Sequence, residues 1–393
     1  MKRTAALVVI ALVLCIPWPP DEASPATLQV DDPGDDLDLG PNGNCTLREA
    51  VLAANTNTAV DACGEGDPGP GTVDVIVLPA GAFTLSIGPA GDDVGTRGDL
   101  DLNDDVEIRG AGPGATSIDG DQLDRVLEVH PGVAAAITDL SITGGAGAGP
   151  GGGLRNHGTL TLDRAAVSGN TVDGLGGGIR NDGDLTVVNS TLSGNAAPNG
   201  HGGAIDDHGT ATFISSTVSG NMAGTEGGGL YNLGGQELTV VHSTLTGNTA
   251  PVGGGIFNDG ALTLTGTLVA GGCAGSGAVT TTGGNLESPG DTCGLGAADL
   301  ADVADPLLGP LADNGGPTAT HALLPGSPAI DFAPNGLCPA VDQRGAPRPV
   351  DGDGDSLSEC DSGAFEFGSD PTNAIFVDGF ESGNTSAWSA SVP

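Results

Sequence analysis

Hydrophobic and polar positions repeat with a fixed period through the centre of the chain, over residues 151–271. Five copies open with glycines, continue with an aliphatic residue and, two positions later, an asparagine or aspartate, and then alternate apolar and polar residues. The aliphatic residue after the glycines recurs at intervals of 25, 26, 25 and 26 residues, at Leu154, Ile179, Ile205, Leu230 and Ile256. A fixed period in this range predicts stacked supersecondary units rather than one globular core.

Each copy contains three short apolar segments separated by Gly, Asn and Asp. The middle segment alternates strictly, as in LTL and LTV, which is the spacing of a β-strand. The Ser-Gly-Asn or Thr-Gly-Asn triplet in four of the copies predicts a turn, because Gly and Asn adopt positive φ at low cost. No window within these repeats shows an apolar stripe of helical spacing and length. Three strands and three turns in about 25 residues predict one rung of a parallel β-helix.

Stacked rungs place equivalent positions of successive copies above one another, as ladders inside the coil. The aliphatic columns form the predicted core, and the third segment of each copy contributes one of them, at Val167, Leu192, Val218, Leu245 and Leu268. A polar ladder, interrupted once by Asp207, is predicted at Asn156, Asn181, Asn232 and Asn258. The repeated glycines are interpreted as positions of close backbone packing, since no strand–GxxxxGK[ST]–helix motif accompanies them.

Weaker strand-like segments continue the pattern on both sides of the clear repeats. Residues 72–150 are interpreted as about three degenerate rungs, and the TTTGGNL segment at 280–286 predicts the start of another. The coil is therefore expected over residues 72–300. Residues 301–368 are expected to form a loop-rich C-terminal module, and residues 369–393 a C-terminal tail.

Residues 45–55 form the one convincing predicted helix. Thr46 and Glu49 have the spacing of a capping box, and one face is apolar, with Leu47, Ala50, Val51 and Ala54. The end of an open β-helix exposes its core and unpaired strand edges, so a capping element is required there. Residues 27–71 are accordingly predicted to form an N-terminal cap that includes this helix.

Composition and net charge limit the expected fold and the expected binding partners. The chain has 70 glycines among 393 residues and only 3% aromatic residues, which fits a solenoid with many turns. Disorder is the competing interpretation of a Gly-rich acidic chain, and the sustained aliphatic columns argue against it. The formal net charge of -39 is expected to repel nucleic acid and anionic lipid and to attract divalent cations.

The first residues are predicted to form a secretory signal over residues 1–26. Lys2 and Arg3 are followed by an apolar run of 12 residues at 5–16, which is too short to span a bilayer. A lipoprotein signal at Cys15 is a weaker alternative, because Leu14 precedes it where a small residue is wanted. No other segment is predicted to cross a membrane.

The six remaining cysteines fall into three pairs that are close in sequence, Cys45 with Cys63, Cys273 with Cys293, and Cys338 with Cys360. Six cysteines permit 15 pairings. A solenoid keeps sequence neighbours close in space, so the local pairing is favoured. Zinc binding is the alternative, but no CxxC or Cys/His cluster supports it, and export favours disulfides.

Three parts of the chain resemble known families. The helix sequence CTLREAVLAAN resembles the CSLREA motif of bacterial exported β-helix proteins. The central GG[GA]-[LI]-x-N and SGN repeats are similar to those of polymorphic outer membrane proteins and of the right-handed pectin-lyase-like fold. The blocks at 313–331, 342–349 and 360–367 resemble the choice-of-anchor Q module.

The resemblance implies an all-β, right-handed parallel β-helix that is secreted or displayed on the outer surface of a Gram-negative bacterium. It also implies a packing role for His321. The tail at 375–393 resembles one that recurs on unrelated exported proteins. The fold is well specified by these resemblances and the function is not, because this fold carries lyases, glycosidases, epimerases and adhesins.

An acidic loop near the C-terminus is the strongest chemical candidate. Asp351, Asp353 and Asp355 alternate with glycines and a serine, as at the opening of a calcium-binding EF-hand loop. Asp361 is the fourth candidate ligand, but Ser362 occupies the position of the closing bidentate glutamate. Calcium is therefore one interpretation, and a solvated acidic insert is the other.

Enzyme chemistry on this fold needs acids and a base over one groove. Arg155 and Arg180 occupy equivalent positions of successive rungs and are expected to stack, but no acidic cluster with matching spacing is evident. The GHG at 200–202 and Asp206, Asp207 and His208 have the residue types of a polygalacturonase-like site in the reverse order, and they align with ordinary repeat positions. No Ser/His/Asp triad is supported. No residue is assigned a catalytic role.

The sequence is accordingly interpreted as a non-catalytic exported surface protein that binds glycans or cell surfaces. The alternative is a carbohydrate-active enzyme, either a polysaccharide lyase or a glycoside hydrolase. The feature that would separate the two is a convergent set of acids and an arginine on one face of adjacent rungs. A purely structural coat protein is a third possibility.

Overall fold

The computed structural model describes residues 25–37, 42–68, 71–88, 95–147 and 149–371. The predicted signal over residues 1–26 lies outside these residues except for its last two. The predicted tail lies outside them from residue 372 onward.

Three parallel sheets of ten, eight and nine strands form the body of the molecule, and each complete rung contributes one short strand to each sheet. Sheet 1 contains Thr27–Gln29, Asp74–Val77, Val106–Arg109, Ala134–Thr138, Thr159–Asp163, Asp184–Val188, Thr210–Ile214, Glu237–Val241, Ala261–Thr265 and Ala278–Thr281. Sheet 2 contains Leu100–Leu102, Leu127–Val129, Leu154–Asn156, Ile179–Asn181, Ile205–Asp207, Leu230–Asn232, Ile256–Asn258 and Cys273–Ala274. Sheet 3 contains Gly81–Thr84, Thr116–Asp119, Ser141–Thr143, Ala166–Ser168, Thr191–Ser193, Thr217–Ser219, Thr244–Thr246, Leu268–Ala270 and Leu286–Ser288.

The strand register reproduces the sequence period. Leu154 pairs with Ile179, Ile179 with Ile205, Ile205 with Leu230, and Leu230 with Ile256, always in parallel orientation. Equivalent residues of successive copies therefore stack directly, and the predicted parallel β-helix is confirmed. The segment at 280–286 also belongs to a further rung, formed by Cys273–Ala274, Ala278–Thr281 and Leu286–Ser288.

The aliphatic columns fill the core of the coil, as predicted, with one exception. Leu160, Leu162 and Val167 of the first clear copy are all 0% exposed, and so are most of their equivalents. The prediction for Leu268 is wrong, because Leu245 pairs with Val269 and the latter fills the core column. Leu268 points outward and is buried against Leu323 and Phe365 of the C-terminal region.

Glycines permit the close approach of stacked turns. A Cβ atom added to Gly177 would lie 2.5 Å from the carbonyl oxygen of Gly203 in the next rung, a distance that no side chain tolerates. The glycine of the Ser-Gly-Asn triplet has positive φ, for example +64° at Gly194. Both observations support the interpretation of these glycines as architectural.

Two asparagine ladders run inside the coil. In the predicted one, Asn156 Nδ2 donates to Asn181 Oδ1 at 2.8 Å, and Asn181 Nδ2 donates to Asp207 Oδ1 at 2.7 Å. The second ladder was not predicted. It comes from the asparagine of each turn triplet, and its amides donate from rung to rung over 2.9–3.0 Å, at Asn170, Asn195, Asn221 and Asn248.

The predicted capping helix is confirmed at Leu47–Thr56, with a capping box between Thr46 and Glu49. Arg48 is fully buried beneath it, pairs with Asp35 at 2.6 Å and donates to the carbonyl of Gly98 at 2.8 Å. The motif arginine therefore ties the helix to the first turns of the coil. Within the described residues, no helix is long and apolar enough to span a lipid bilayer.

The described C-terminal segment, residues 301–371, packs along the outer face of sheet 3. It contains an antiparallel pair, Leu308–Ala312 with Thr320–Leu323, and a 3-10 turn at Asn335–Leu337. Gln343 Oε1 accepts a hydrogen bond from Thr217 Oγ1 at 2.6 Å. His321 Nε2 lies 2.8 Å from Ser219 Oγ.

The DQRGAPRP block supplies the polar anchors of this packing. Arg348 is fully buried, lies 3.2 Å from Glu366 and 3.0 Å from His242 Nδ1, and donates to the Gly363 carbonyl at 2.8 Å. Arg344 lies 3.6 Å above the centre of the Phe365 ring. The block is explained by these contacts, without an active site.

The three local cysteine pairs are the disulfides that form, Cys45 with Cys63, Cys273 with Cys293, and Cys338 with Cys360. Their sequence separations are 18, 20 and 22 residues. These bonds leave none of the six thiolates for zinc. Three disulfides indicate an oxidising compartment.

Candidate functional site: a polar groove on sheet 2

The strands of sheet 2 place their middle residue on the outside of the coil. In Leu154–Asn156 the two flanking side chains are buried and Arg155 points outward. Strand pairing aligns the middle residues of seven successive rungs into one outer column, formed by Asp101, Glu128, Arg155, Arg180, Asp206, Tyr231 and Phe257. Five of the seven are ionisable acids or arginines.

A second polar row lies two residues further along each rung, where the chain turns into sheet 1. It contains His130, His157, Asp182 and His208. A surface groove of about 450 Å³ follows these turns, and His157, Asp182 and His208 are among its lining residues. The outer column lies beside this cavity and does not line it. The outer column and the second row together are called the sheet 2 groove below.

The N-terminal end of the sheet 2 groove is acidic. Asp99, Asp101 and Glu128 are buried, and each offers a carboxylate oxygen within 4.8 Å of the others. Arg125 lies 2.8 Å from Asp99, and His130 lies 3.1 Å from Asp101. Burial raises the pKa of Asp99 to about 6, against the opposing charge of Arg125. Arg125 and His130 thus offset part of the negative charge of this cluster.

Arginines and acids alternate through the middle of the groove. Arg155 lies 3.9 Å from Glu128 and 3.5 Å from Asp182. Arg180 lies 2.7 Å from Asp182 and 2.6 Å from Asp206. The Arg155 Nε and Asp182 Oδ2 atoms are without a hydrogen-bond partner among the described residues. They are buried and face each other across 3.5 Å, as the two atoms of the ion pair between Arg155 and Asp182.

Asp206 is the fully buried centre of the C-terminal half. His201 Nδ1 lies 2.8 Å from Asp206 Oδ1, and His208 Nε2 lies 3.3 Å from the same oxygen. Burial disfavours the charged carboxylate, but the contacts with His201 and His208 and the charge of Arg180 outweigh burial and lower the pKa of Asp206 to about 2. Asp206 is thus ionised at neutral pH and orients two imidazoles that are each about one-fifth exposed.

Aromatic rings close the C-terminal end. The His201 ring stacks on Tyr231 with 3.9 Å between centroids, and Tyr231 stacks on Phe257 at 5.2 Å with an interplanar angle of 2°. Both aromatic residues are only 8% exposed. They form a wall that fixes the position of His201.

The sheet 2 groove corrects two sequence-based expectations. The stacking of Arg155 and Arg180 is confirmed by their register. The expectation that no acidic cluster shares their groove is wrong, because Glu128, Asp182 and Asp206 all pair with them. His201 and His208 occupy ordinary turn positions, yet they converge on Asp206. The acidic or basic identity of five successive middle residues in the sheet 2 strands was the available signal.

The C-terminal acidic loop is assembled differently from the prediction. Asp351 and Asp353 lie together, and Asp331, which the sequence did not single out, offers a third oxygen within 4.8 Å. Asp355 Oδ1 instead accepts from the Leu357 amide at 2.7 Å. Asp361 is buried and accepts from the Asp331 amide at 2.8 Å. Burial, followed by the charge of Glu366, raises the pKa of Asp361 to about 7.

Comparisons with known proteins leave the families named from the motifs as predictions. No protein-family model matches the chain, and no curated protein matches it. One solved structure to which it is similar is described as the crystal structure of pectate lyase Pel9A. The TM-score is 0.49 at 15% sequence identity, over 88% of this chain and 97% of that chain. The chemistry of the groove therefore has to be inferred from its own side chains.

Proposed function

We propose that the protein is an exported β-helix that binds a glycan along the sheet 2 groove. The observation that carries this proposal is the unbroken row of Arg, Asp, Glu and His side chains over successive rungs, of which Arg155, Asp182 and the histidines are partly exposed. Their planar polar groups suit bidentate hydrogen bonds to adjacent sugar hydroxyls. Rungs spaced about 4.8 Å apart present these groups at regular intervals, which suits an extended polymer.

The charge of the groove favours a neutral or amino-sugar glycan. Four carboxylates, on Asp99, Glu128, Asp182 and Asp206, face the guanidinium groups of Arg125, Arg155 and Arg180, and a fifth, on Asp101, faces the His130 imidazole. The chain as a whole carries a formal charge of -39. A polyuronate would be repelled by both, whereas a neutral or cationic polymer would not.

The proposed location is extracellular. Three disulfides are compatible with an oxidising environment, and the CSLREA-like and choice-of-anchor Q-like segments resemble those of proteins exported by Gram-negative bacteria. Attachment to the outer cell surface belongs to the same proposal.

Calorimetric titration of the disulfide-bonded protein with neutral, amino-sugar and polyuronate oligosaccharides tests this function. Arg180→Gln is expected to weaken binding at least tenfold, because it removes the guanidinium that links Asp182 to Asp206. Arg164→Gln is the matched control, since Arg164 pairs with Asp139 at the edge of sheet 1. Equal affinity in both variants, or no binding of any glycan class, would refute a glycan site in this groove.

A carbohydrate-active enzyme is the second candidate, and the His201–Asp206 pair favours it. Asp206 accepts from Nδ1 of His201, which leaves Nε2 available to accept a proton. Among the described residues, this imidazole has no second hydrogen-bond partner, and its ring stacks on Tyr231. A carboxylate-oriented imidazole is a common general base. Release of reducing ends or unsaturated products that His201→Gln abolishes, with binding retained, would identify turnover.

We also propose that calcium stabilises the C-terminal acidic loop through Asp331, Asp351 and Asp353. Carboxylate oxygens are the ligands that Ca²⁺ prefers, and these three lie within 4.8 Å of one another. The role would be structural, because the loop lies beside the disulfide of Cys338 with Cys360.

A further inference from the structure

The internal asparagine ladder contains one step that differs from the others. In an intact step, Nδ2 of one asparagine donates to Oδ1 of the next, as from Asn232 to Asn258 at 2.7 Å. The same Nδ2 also donates to the first backbone carbonyl of a sheet 1 strand in the next rung. Asn156 reaches the Asp184 carbonyl at 3.0 Å, and Asn232 reaches the Ala261 carbonyl at 3.2 Å.

Asp207 breaks this pattern because it has an oxygen where the other rungs have an amide nitrogen. Its Oδ1 accepts from Asn181 Nδ2 at 2.7 Å and from the Gly209 amide at 3.1 Å. Its Oδ2 has no partner, and Asn232 Oδ1, on the residue paired with it, has none either. By the register of the repeat, the Glu237 backbone carbonyl occupies the position that the Asp184 and Ala261 carbonyls have in the intact steps. Asp207 and Asn232 are 1% and 0% exposed.

We infer that Asp207 takes up a proton from solvent in the folded chain and donates it from Oδ2 to Oδ1 of Asn232, which completes the ladder. Without that proton, buried acceptor oxygens face one another with no hydrogen between them, and each unmade bond is costly. A protonated carboxyl group supplies the single donor that is missing. The inference does not depend on what the sheet 2 groove binds.

The charged groups around Asp207 are few. Asn181 and Asn232 face it from the neighbouring rungs and are neutral, while Asp206 and His208 flank it on its own strand. Burial raises the pKa of Asp207 to about 6, the contacts from Asn181 and Gly209 and the charge of His208 lower it, and the charge of Asp206 adds to the rise. Since the pKa is higher in the folded than in the unfolded chain, the stabilisation is complete below about pH 4 and is lost as the pH rises through 6.

The test is the unfolding equilibrium of wild type and Asp207→Asn at fixed ionic strength from pH 4 to pH 8. The new amide can donate at every pH, so the stability of the variant relative to wild type should increase as the pH rises. The ratio of their folding constants should grow roughly 100-fold between pH 4 and pH 7, the equivalent of two pKa units. Asp184→Asn, which removes an exposed acid from the same coil, should show no such growth.

Two results would overturn the inference. One is a constant difference between wild type and Asp207→Asn across the whole pH range. The other is a wild-type stability that follows sodium or potassium concentration at fixed pH, since a cation would then fill the gap. Asn232→Ser provides a second variant. The hydroxyl of the introduced serine can donate to ionised Asp207, so the pH dependence should be reduced. A pH-dependent step of full size in this variant would also contradict the shared proton.

Discussion

Sheets 2 and 3 have the same inner construction and opposite outer faces. Each strand of both sheets contributes one aliphatic residue to a buried column. In both sheets, an internal asparagine ladder lies near the C-terminal ends of the strands. The outer face of sheet 3 presents small hydroxyl groups, such as Thr191, Thr217 and Thr244, and the C-terminal segment covers them. The outer face of sheet 2 presents long charged side chains, and a groove remains open beside them.

The difference shows that the inward residues of the repeat determine the coil, whereas the outward residues determine what each face of the coil contacts. Threonines on sheet 3 exchange hydrogen bonds with a covering chain, and the buried polar groups are satisfied by residues more than 100 positions away. Arginines and acids on sheet 2 satisfy one another within adjacent rungs. They need no cover, and Arg155, Asp182 and the neighbouring histidines remain partly exposed.

The largest expected effect comes from removing the main charge anchor of the covered face. Arg348→Met should destabilise the protein by about 3–5 kcal/mol, because it leaves Glu366 buried without its cation. Denaturant unfolding measures the loss. Arg164→Met is the control, since its ion pairs are partly exposed and should contribute about 1 kcal/mol or less. Equal losses in the two variants would mean that Arg348 is not an anchor.

The contribution of Asp206, at the centre of the sheet 2 groove, should appear as a loss of stability at low pH. The pKa of Asp206 is lowered from 3.8 to about 2, so its charged form stabilises the fold above about pH 4, and this contribution is lost as the pH falls towards 2. It amounts to roughly 2 kcal/mol. In Asp206→Asn, the decrease in the free energy of unfolding between pH 4 and pH 2 should be smaller by that amount.

Stability curves from pH 5 to pH 2 measure this contribution, with Asp184→Asn as an exposed control. A difference between wild type and Asp206→Asn that stays constant over this range would show that the ion pairs of Asp206 add nothing to folding.

The smallest expected effect distinguishes the two acidic clusters. Calcium at ten times its Kd should stabilise the wild type by about 1.4 kcal/mol. Asp331→Asn and Asp351→Asn should abolish this gain, and Asp355→Asn should retain it. Asp101→Asn should also retain it, because Arg125 and His130 already compensate the cluster in the groove. Thermal unfolding with calcium and with magnesium measures the effect, and a loss of the calcium response in Asp101→Asn alone would place the ion in the groove instead.

The features that follow from periodicity were predictable from the sequence. The columns of Leu154 and its equivalents, the Asn156 ladder, the helix capped by Thr46 and the local disulfides all depend on short-range spacing. Leu268 was misplaced because the TLVA segment has two adjacent apolar residues, and only the cover over sheet 3 explains why both are buried.

The site itself was not predictable from spacing. A period reports which residues point inward, whereas convergence of outward groups depends on the turn geometry that carries His201 back onto Asp206. The contacts of Gln343 with Thr217 and Thr191 span 126 and 152 residues. Nothing in the local pattern specifies such a separation.

The C-terminal segment also changes how the solenoid comes apart. A simple stack has contacts only between neighbouring rungs and can unravel one rung at a time from either end. Here Ser362, Ala364, Gln343 and Ala319 bind successive rungs, from Gly284 back to Thr191. Peeling from the C-terminal end must first detach this strap, so these rungs are lost together. The strap therefore joins rungs that local contacts alone would leave independent, and its detachment is the first step in their unfolding from this end.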